Sequence, residues 1–121
     1  MEYLALVYDN PDAWESMSEA ERGAAYEGYM AVARDAEAAG ALVDAAELES
    51  TAAATSVRVR GGDAVVTDGP YAEVKESLGG YYLFSCASIE EAIAWAAKIP
   101  AAWHGGAIEV RPVHVEEEVA A

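Results

Sequence analysis

Cations, cysteine and long apolar runs are all scarce in this sequence, and each scarcity removes a class of function. Lysine and arginine together number 7 against 22 acidic residues, for a formal net charge of −15. The field of such a chain repels a phosphate backbone, so nucleic acid is not an expected partner. The acidity needs no recognition role, because it keeps an alanine-rich protein in solution. A single cysteine, Cys86, lies within an apolar run. It excludes an intramolecular disulfide, fits a reducing compartment and reads as a buried, inert thiol. The apolar runs fall short of a membrane span, and the first residues lack the basic stretch and long apolar core of a signal peptide. A cytoplasmic protein with no membrane partner is expected. Only two histidines occur, His104 and His114, and neither has metal-ligand spacing to Cys, Asp or the other. No metal and no cofactor are expected, and no phosphate-binding glycine loop, dinucleotide fingerprint or nucleophile elbow is present.

What is there is enough for one folded domain spanning residues 1–121, with 54% hydrophobic residues. Tyr3–Tyr8 is a continuous apolar run of strand length, and its continuity predicts cover on both faces. Asp9-Asn10-Pro11 closes it, and a connector with Trp14 and a helical turn follows. Ser18-Glu19-Ala20-Glu21 is a capping box that starts a helix to about Ala39, with Gly40 as its C′ residue. Tyr26, Tyr29, Met30, Ala33 and Ala36 recur at helical steps and are expected to form its inward face. Leu42–Leu48 reads as a weak strand. Thr55–Arg60 alternates, and with Ala64–Thr67 across Gly61-Gly62 it predicts a β-hairpin. Tyr81–Cys86 is the next strand. Ser88-Ile89-Glu90-Glu91 resembles a second capping box, for a helix with Ala92, Ile93, Ala96, Ala97 and Ile99 inward that stops before Pro100. Ile108–Val115 is the last strand, and Pro112 within it predicts an edge position or a bulge.

The order is β-α-β-hairpin-β-α-β, an α+β chain of ferredoxin-like βαββαβ pattern with an inserted β-hairpin. Two helices cover one face of a four-stranded sheet, whereas Tyr3–Tyr8 and Tyr81–Cys86 are apolar at both parities. A second copy packing sheet to sheet, a homodimer, is therefore expected.

The chemistry concentrates between Val65 and Phe84. Asp68-Gly69-Pro70 is a strong turn signal, and Glu73, Lys75 and Glu76 follow within a few residues. Asp68 at a strand end is a candidate general base or ligand anchor; the competing role is an Asx-type turn residue. Glu73, Lys75 and Glu76 are a candidate binding cluster or else a weakly paired surface loop. Among seven tyrosines, Tyr8, Tyr26 and Tyr82 are candidates for a pocket, with Tyr26 a possible hydrogen-bond donor to a reacting group, whereas Tyr3, Tyr29 and Tyr81 read as packing. Arg111 is a candidate partner for a carboxylate of a ligand or of a second subunit. His104, beside Trp103 and Gly105-Gly106, falls at a rim.

Asp68-Gly69-Pro70-Tyr71-Ala72-Glu73-Val74-Lys75-Glu76, then Gly79-Gly80-Tyr81-Tyr82, resembles the signature of the DGPF subgroup of YCII-related proteins. Glu109-Val110-Arg111-Pro112 is similar to that subgroup's closing motif, and Tyr71 stands where the naming motif has Phe. The resemblance implies a small cytoplasmic dimeric α/β barrel of ferredoxin-like subunits. It also implies a link to extracytoplasmic-function sigma factors in some members. The wider family's proposed pair of a first-helix His with the motif Asp does not carry over, since the first helix here has no His. Two functions stand side by side. One is a protein that binds, and in an enzyme transforms, a small organic molecule near Asp68 in a pocket between the sheet and the hairpin. The other is a non-catalytic dimeric ligand-binding or interaction module linked to sigma-factor or stress regulation.

Overall fold

The first strand sets the geometry of the whole chain. In the computed structural model, which describes residues 1–71 and 76–116, β1 (Glu2–Asp9) lies inside a four-stranded antiparallel sheet. The elements that follow are α1 (Pro11–Glu15), α2 (Glu19–Ala38), β2 (Leu42–Glu47), β3 (Thr55–Arg60), β4 (Asp63–Asp68), β5 (Ser77–Ser85), α3 (Ile89–Ala96) and β6 (Ala107–Pro112). Strand order is β2-β5-β1-β6, and β3 and β4 form a separate two-stranded sheet. The fold is thus α+β, with antiparallel sheets and three α-helices among the described residues.

Alternation along β1 decides what is buried. Tyr3, Ala5 and Val7 are buried, and Leu4, Leu6 and Tyr8 only partly so. The buried set meets Tyr82 and Phe84 of β5, Val32 and Ala36 of α2, Ala92 of α3, and Ile99 and Ala101 beyond it. Phe84 and Ile99 are the largest fully enclosed side chains, each contributing roughly 1.5–3 kcal/mol by leaving water. Phe84 stacks between Tyr82 and Trp95, with ring centroids 5.6 and 6.0 Å away. In the single chain the helices cover one face of β1, as two helices on a four-stranded sheet must, and Leu4, Leu6, Tyr8, Tyr81 and Leu83 lie on the other in register, partly buried.

Turn chemistry follows the sequence closely. Gly61 and Gly62 take φ of 58° and 84°, the pair of left-handed residues that a tight hairpin turn demands. Gly40, at φ 71°, ends α2, and the Ala41 amide returns to the Ala36 carbonyl at 2.8 Å. The Ser18 box is complete: Glu21 N–H donates to Ser18 Oγ at 3.1 Å, and Ser18 N–H to Glu21 Oε1 at 3.2 Å. The Ser88 box is only half formed, because the Glu91 carboxylate accepts from the Ala87 amide instead of that of Ser88. Pro112 closes β6 at the sheet edge, as its missing N–H requires.

Three expectations shift. Strand β5 begins at Ser77, four residues before Tyr81, because Leu78 pairs with Tyr8 and Gly80 with Val7. The inward stripe of α2 is Ala25, Val32 and Ala36, while Tyr26 and Met30 are 51% and 63% exposed. Ile93 of α3 is likewise exposed, since Ala92 and Ala96 take the core positions.

Candidate functional site

The last residue of β1 shares the parity of Tyr3, Ala5 and Val7, and it is a carboxylate. Asp9 therefore points to the helix side of the sheet, where the core gives way to a cavity of about 640 Å³. A bulge between Val7 and Tyr8 leaves Gly79 as the extra residue opposite them. A Cβ on Gly79 would collide with Asp9 Oδ2, so glycine keeps the volume that the carboxylate occupies. Gly80 serves close strand approach instead: a Cβ there would stand 2.6 Å from the Ala46 carbonyl oxygen.

The walls come from both layers. Val7, Tyr82, Ala45 and Glu47 form the sheet side, α2 supplies Ala25, Tyr26, Tyr29, Met30 and Ala33, and α1 supplies Trp14 and Glu15. Pro100, Ala101, His104 and Gly106 also line the cavity. Helix α1 begins where Asn10 caps it, its Oδ1 accepting from the Asp12 and Ala13 amides at 3.1 and 3.3 Å. Arg22 of α2 then ties down its end by donating to the Trp14 and Glu15 carbonyls at 3.1 and 2.9 Å. That fixes Trp14 over the cavity, edge to face with Tyr26 at 5.3 Å. Beneath it, Tyr29 O–H donates to Asp9 Oδ1 at 3.3 Å, and Tyr82 O–H donates to the Tyr29 carbonyl at 2.9 Å.

Burial raises the Asp9 carboxyl above the ordinary carboxylate range; the Tyr29 hydroxyl partly offsets this and the neighbouring Glu47 charge adds to it. Tyr29 is raised by burial and by Asp9. Tyr82 is pushed up to about 12, by burial first and Glu47 second. Two carboxylates, Asp9 and Glu47, thus line one space, with the Tyr29 hydroxyl on Asp9, an arrangement able to accept or deliver a proton.

The structure brings only part of the expected set together. Tyr26 and Tyr82 line the cavity, as does His104. Asp68 is exposed at the end of β4 and is not among the lining residues; Gly69 beside it donates its amide to the Ala54 carbonyl at 2.7 Å. No residue of β3 or β4 lines the cavity, which lies between the sheet and α1–α2. Tyr8 and Arg111 lie on the opposite face of the sheet, in register with Leu78 and Leu4 respectively. Glu76 is partly buried before β5 and outside the lining. Glu73 and Lys75 fall outside the described residues. Asp9, Tyr29, Glu47 and Trp14 were not expected as site residues. A signal for Asp9 was available, as an acidic side chain at the core-facing parity of an apolar strand. Among the described residues no group of His, Cys, Asp and Glu could hold a metal ion.

Residues 1–117 match the YCII-related domain. The chain belongs to the YCII-related family. A relative, "Uncharacterized protein R00369" of Rhizobium meliloti (strain 1021), is 38% identical over 114 residues, covering 93% of this chain and 92% of its own. Because the family match runs over almost the full length, the cavity, whose lining residues fall between Val7 and Gly106, lies inside the matched region.

Proposed function

We propose that this YCII-related protein binds a small organic molecule in the cavity between β1, β5 and α2. The observation that carries the reading is Asp9: a half-buried carboxylate hydrogen-bonded to Tyr29, with its space reserved by Gly79 and aromatic rings opposite. Cavities of this size with a few convergent polar groups are where small molecules bind. Any proton transfer in the pocket would run through Asp9, whose raised carboxyl suits that work. The Asp68-Gly69-Pro70 motif supports placement in the DGPF subgroup, and the strand order supports a ferredoxin-like subunit. The half-covered Leu4, Leu6, Tyr81 and Leu83 support a homodimer packed sheet to sheet, a barrel of two subunits. The lone buried Cys86 fits a reducing, cytoplasmic setting. Light scattering at micromolar concentration should give a dimer mass; a monomer mass contradicts the pairing.

A thermal-shift screen of a metabolite library tests the binding reading, with wild type, Asp9→Asn and Asp68→Asn side by side. A compound that stabilises wild type and Asp68→Asn but not Asp9→Asn supports the cavity. A compound lost only with Asp68→Asn moves the site to the hairpin end.

One observation favours an interaction module as the second reading. Val57, Val59 and Val66 stand on one face of the β3–β4 hairpin at 63%, 70% and 62% exposure, an apolar strip that a monomer leaves in water.

A further inference from the structure

Within the cavity reading above, on which this inference rests, we infer that the ligand carries a basic nitrogen and binds as an organic cation, its ammonium between Asp9 and Glu47 and its apolar part against Trp14 and Tyr26. The carboxylates come first. Register places Ala45 and Glu47 of β2 opposite Tyr82 and Gly80, on the helix side, so Glu47 and Asp9 flank the same glycines of β5. They are close enough for the Glu47 charge to act on Asp9. Glu15 adds a third negative group at the α1 wall, and no Lys or Arg is among the described lining residues.

The second observation is an open acceptor. Asp9 Oδ1 receives the Tyr29 hydroxyl, but no described residue donates to Oδ2. Among the described residues no buried side-chain oxygen lacks a partner, so Oδ2, on a residue that lines the cavity, is open to solvent. An N–H donor from a ligand would complete it with a charge-assisted bond. The third observation is the wall. Trp14, Tyr26, Tyr29 and Tyr82 put aromatic rings, the groups that attract organic cations, in the lining, and Met17 and Met30 give an adaptable apolar lining for the remainder. The net charge of −15 draws cations toward the mouth. An anion would meet two carboxylates, and a neutral molecule would leave their mutual repulsion unrelieved.

Three probes of one shape test the charge: 2-phenylethylammonium, 2-phenylethanol and 3-phenylpropionate, titrated calorimetrically into the full chain at pH 7 and low salt up to millimolar concentration. The ammonium should bind roughly tenfold more tightly than the alcohol, the gain expected of one charge-assisted hydrogen bond. Asp9→Asn and Glu47→Gln should each weaken the ammonium by about five- to tenfold more than they weaken the alcohol, with circular dichroism checking that each variant remains folded. The inference is overturned if 3-phenylpropionate binds as well as the ammonium, or if ammonium binding survives both substitutions. Binding of the alcohol or the carboxylate alone overturns the charge assignment and leaves the cavity reading standing. No binding of any probe overturns both.

Discussion

Two strands of this protein end in the same local syntax and meet opposite fates. Asp9-Asn10-Pro11 ends β1, and Asp68-Gly69-Pro70 ends β4. In both, an Asp leaves a strand and a Pro two residues later stops its continuation. Asp9 is drawn under two helices, partnered by Tyr29 and raised by burial. Asp68 ends a hairpin whose two strands are almost entirely exposed. Local chemistry makes the turn; the layer that covers it makes the site.

The contrast can be broken at the core first. Phe84→Ala removes a ring enclosed between Tyr82 and Trp95 and should destabilise by about 3–5 kcal/mol. Val66→Ala, on the open hairpin, should stay within roughly 0.5 kcal/mol. Urea unfolding of the two variants checks both figures, and equal losses would show that the hairpin is covered in solution. Gly80→Ala comes next. Its Cβ would meet the backbone of Ala46, which cannot swing aside as a side chain does, so a loss of about 1–3 kcal/mol is expected.

Smaller effects appear on titration. Asp9 is raised in the folded state, so its contribution is fully present below its unfolded value, about pH 4, and is lost as pH rises through the folded value. Thermal unfolding from pH 3 to 7 should therefore show Asp9→Asn gaining on wild type as pH rises. Parallel curves for the two proteins would place Asp9 in water. Tyr82 has the same sign at alkaline pH. Its contribution holds below pH 10 and is lost as pH rises through about 12. Absorbance at 295 nm should show tyrosines still protonated after the exposed ones have ionised, and Tyr82→Phe should remove one of them.

Much of the fold was legible because it is written in short-range rules. Gly61-Gly62 demanded a hairpin, Ser18 with Glu21 a helix start, and Gly40 its end. The site was less legible, because helical periodicity gives the width of an apolar stripe but not its centre. Alanine took the close-packed positions of α2, and that rotated Tyr26 and Met30 out of the core and onto the cavity. Gly79 and Gly80 precede the strand expected from Tyr81, yet they lie inside β5, one making room for Asp9 and the other for β2. Their purpose depends on strands far away in sequence. The same holds for Asp9, a plain turn residue until the Gly79 bulge and Tyr29 arrive from β5 and α2.

The most direct test is to map by NMR which backbone amides shift when a ligand from the thermal-shift screen is added. A ligand in the cavity should shift Asp9, Trp14, Tyr29, Glu47 and Gly79 together. Changes confined to Asp68, Gly69 and the β3–β4 strands would contradict a cavity site.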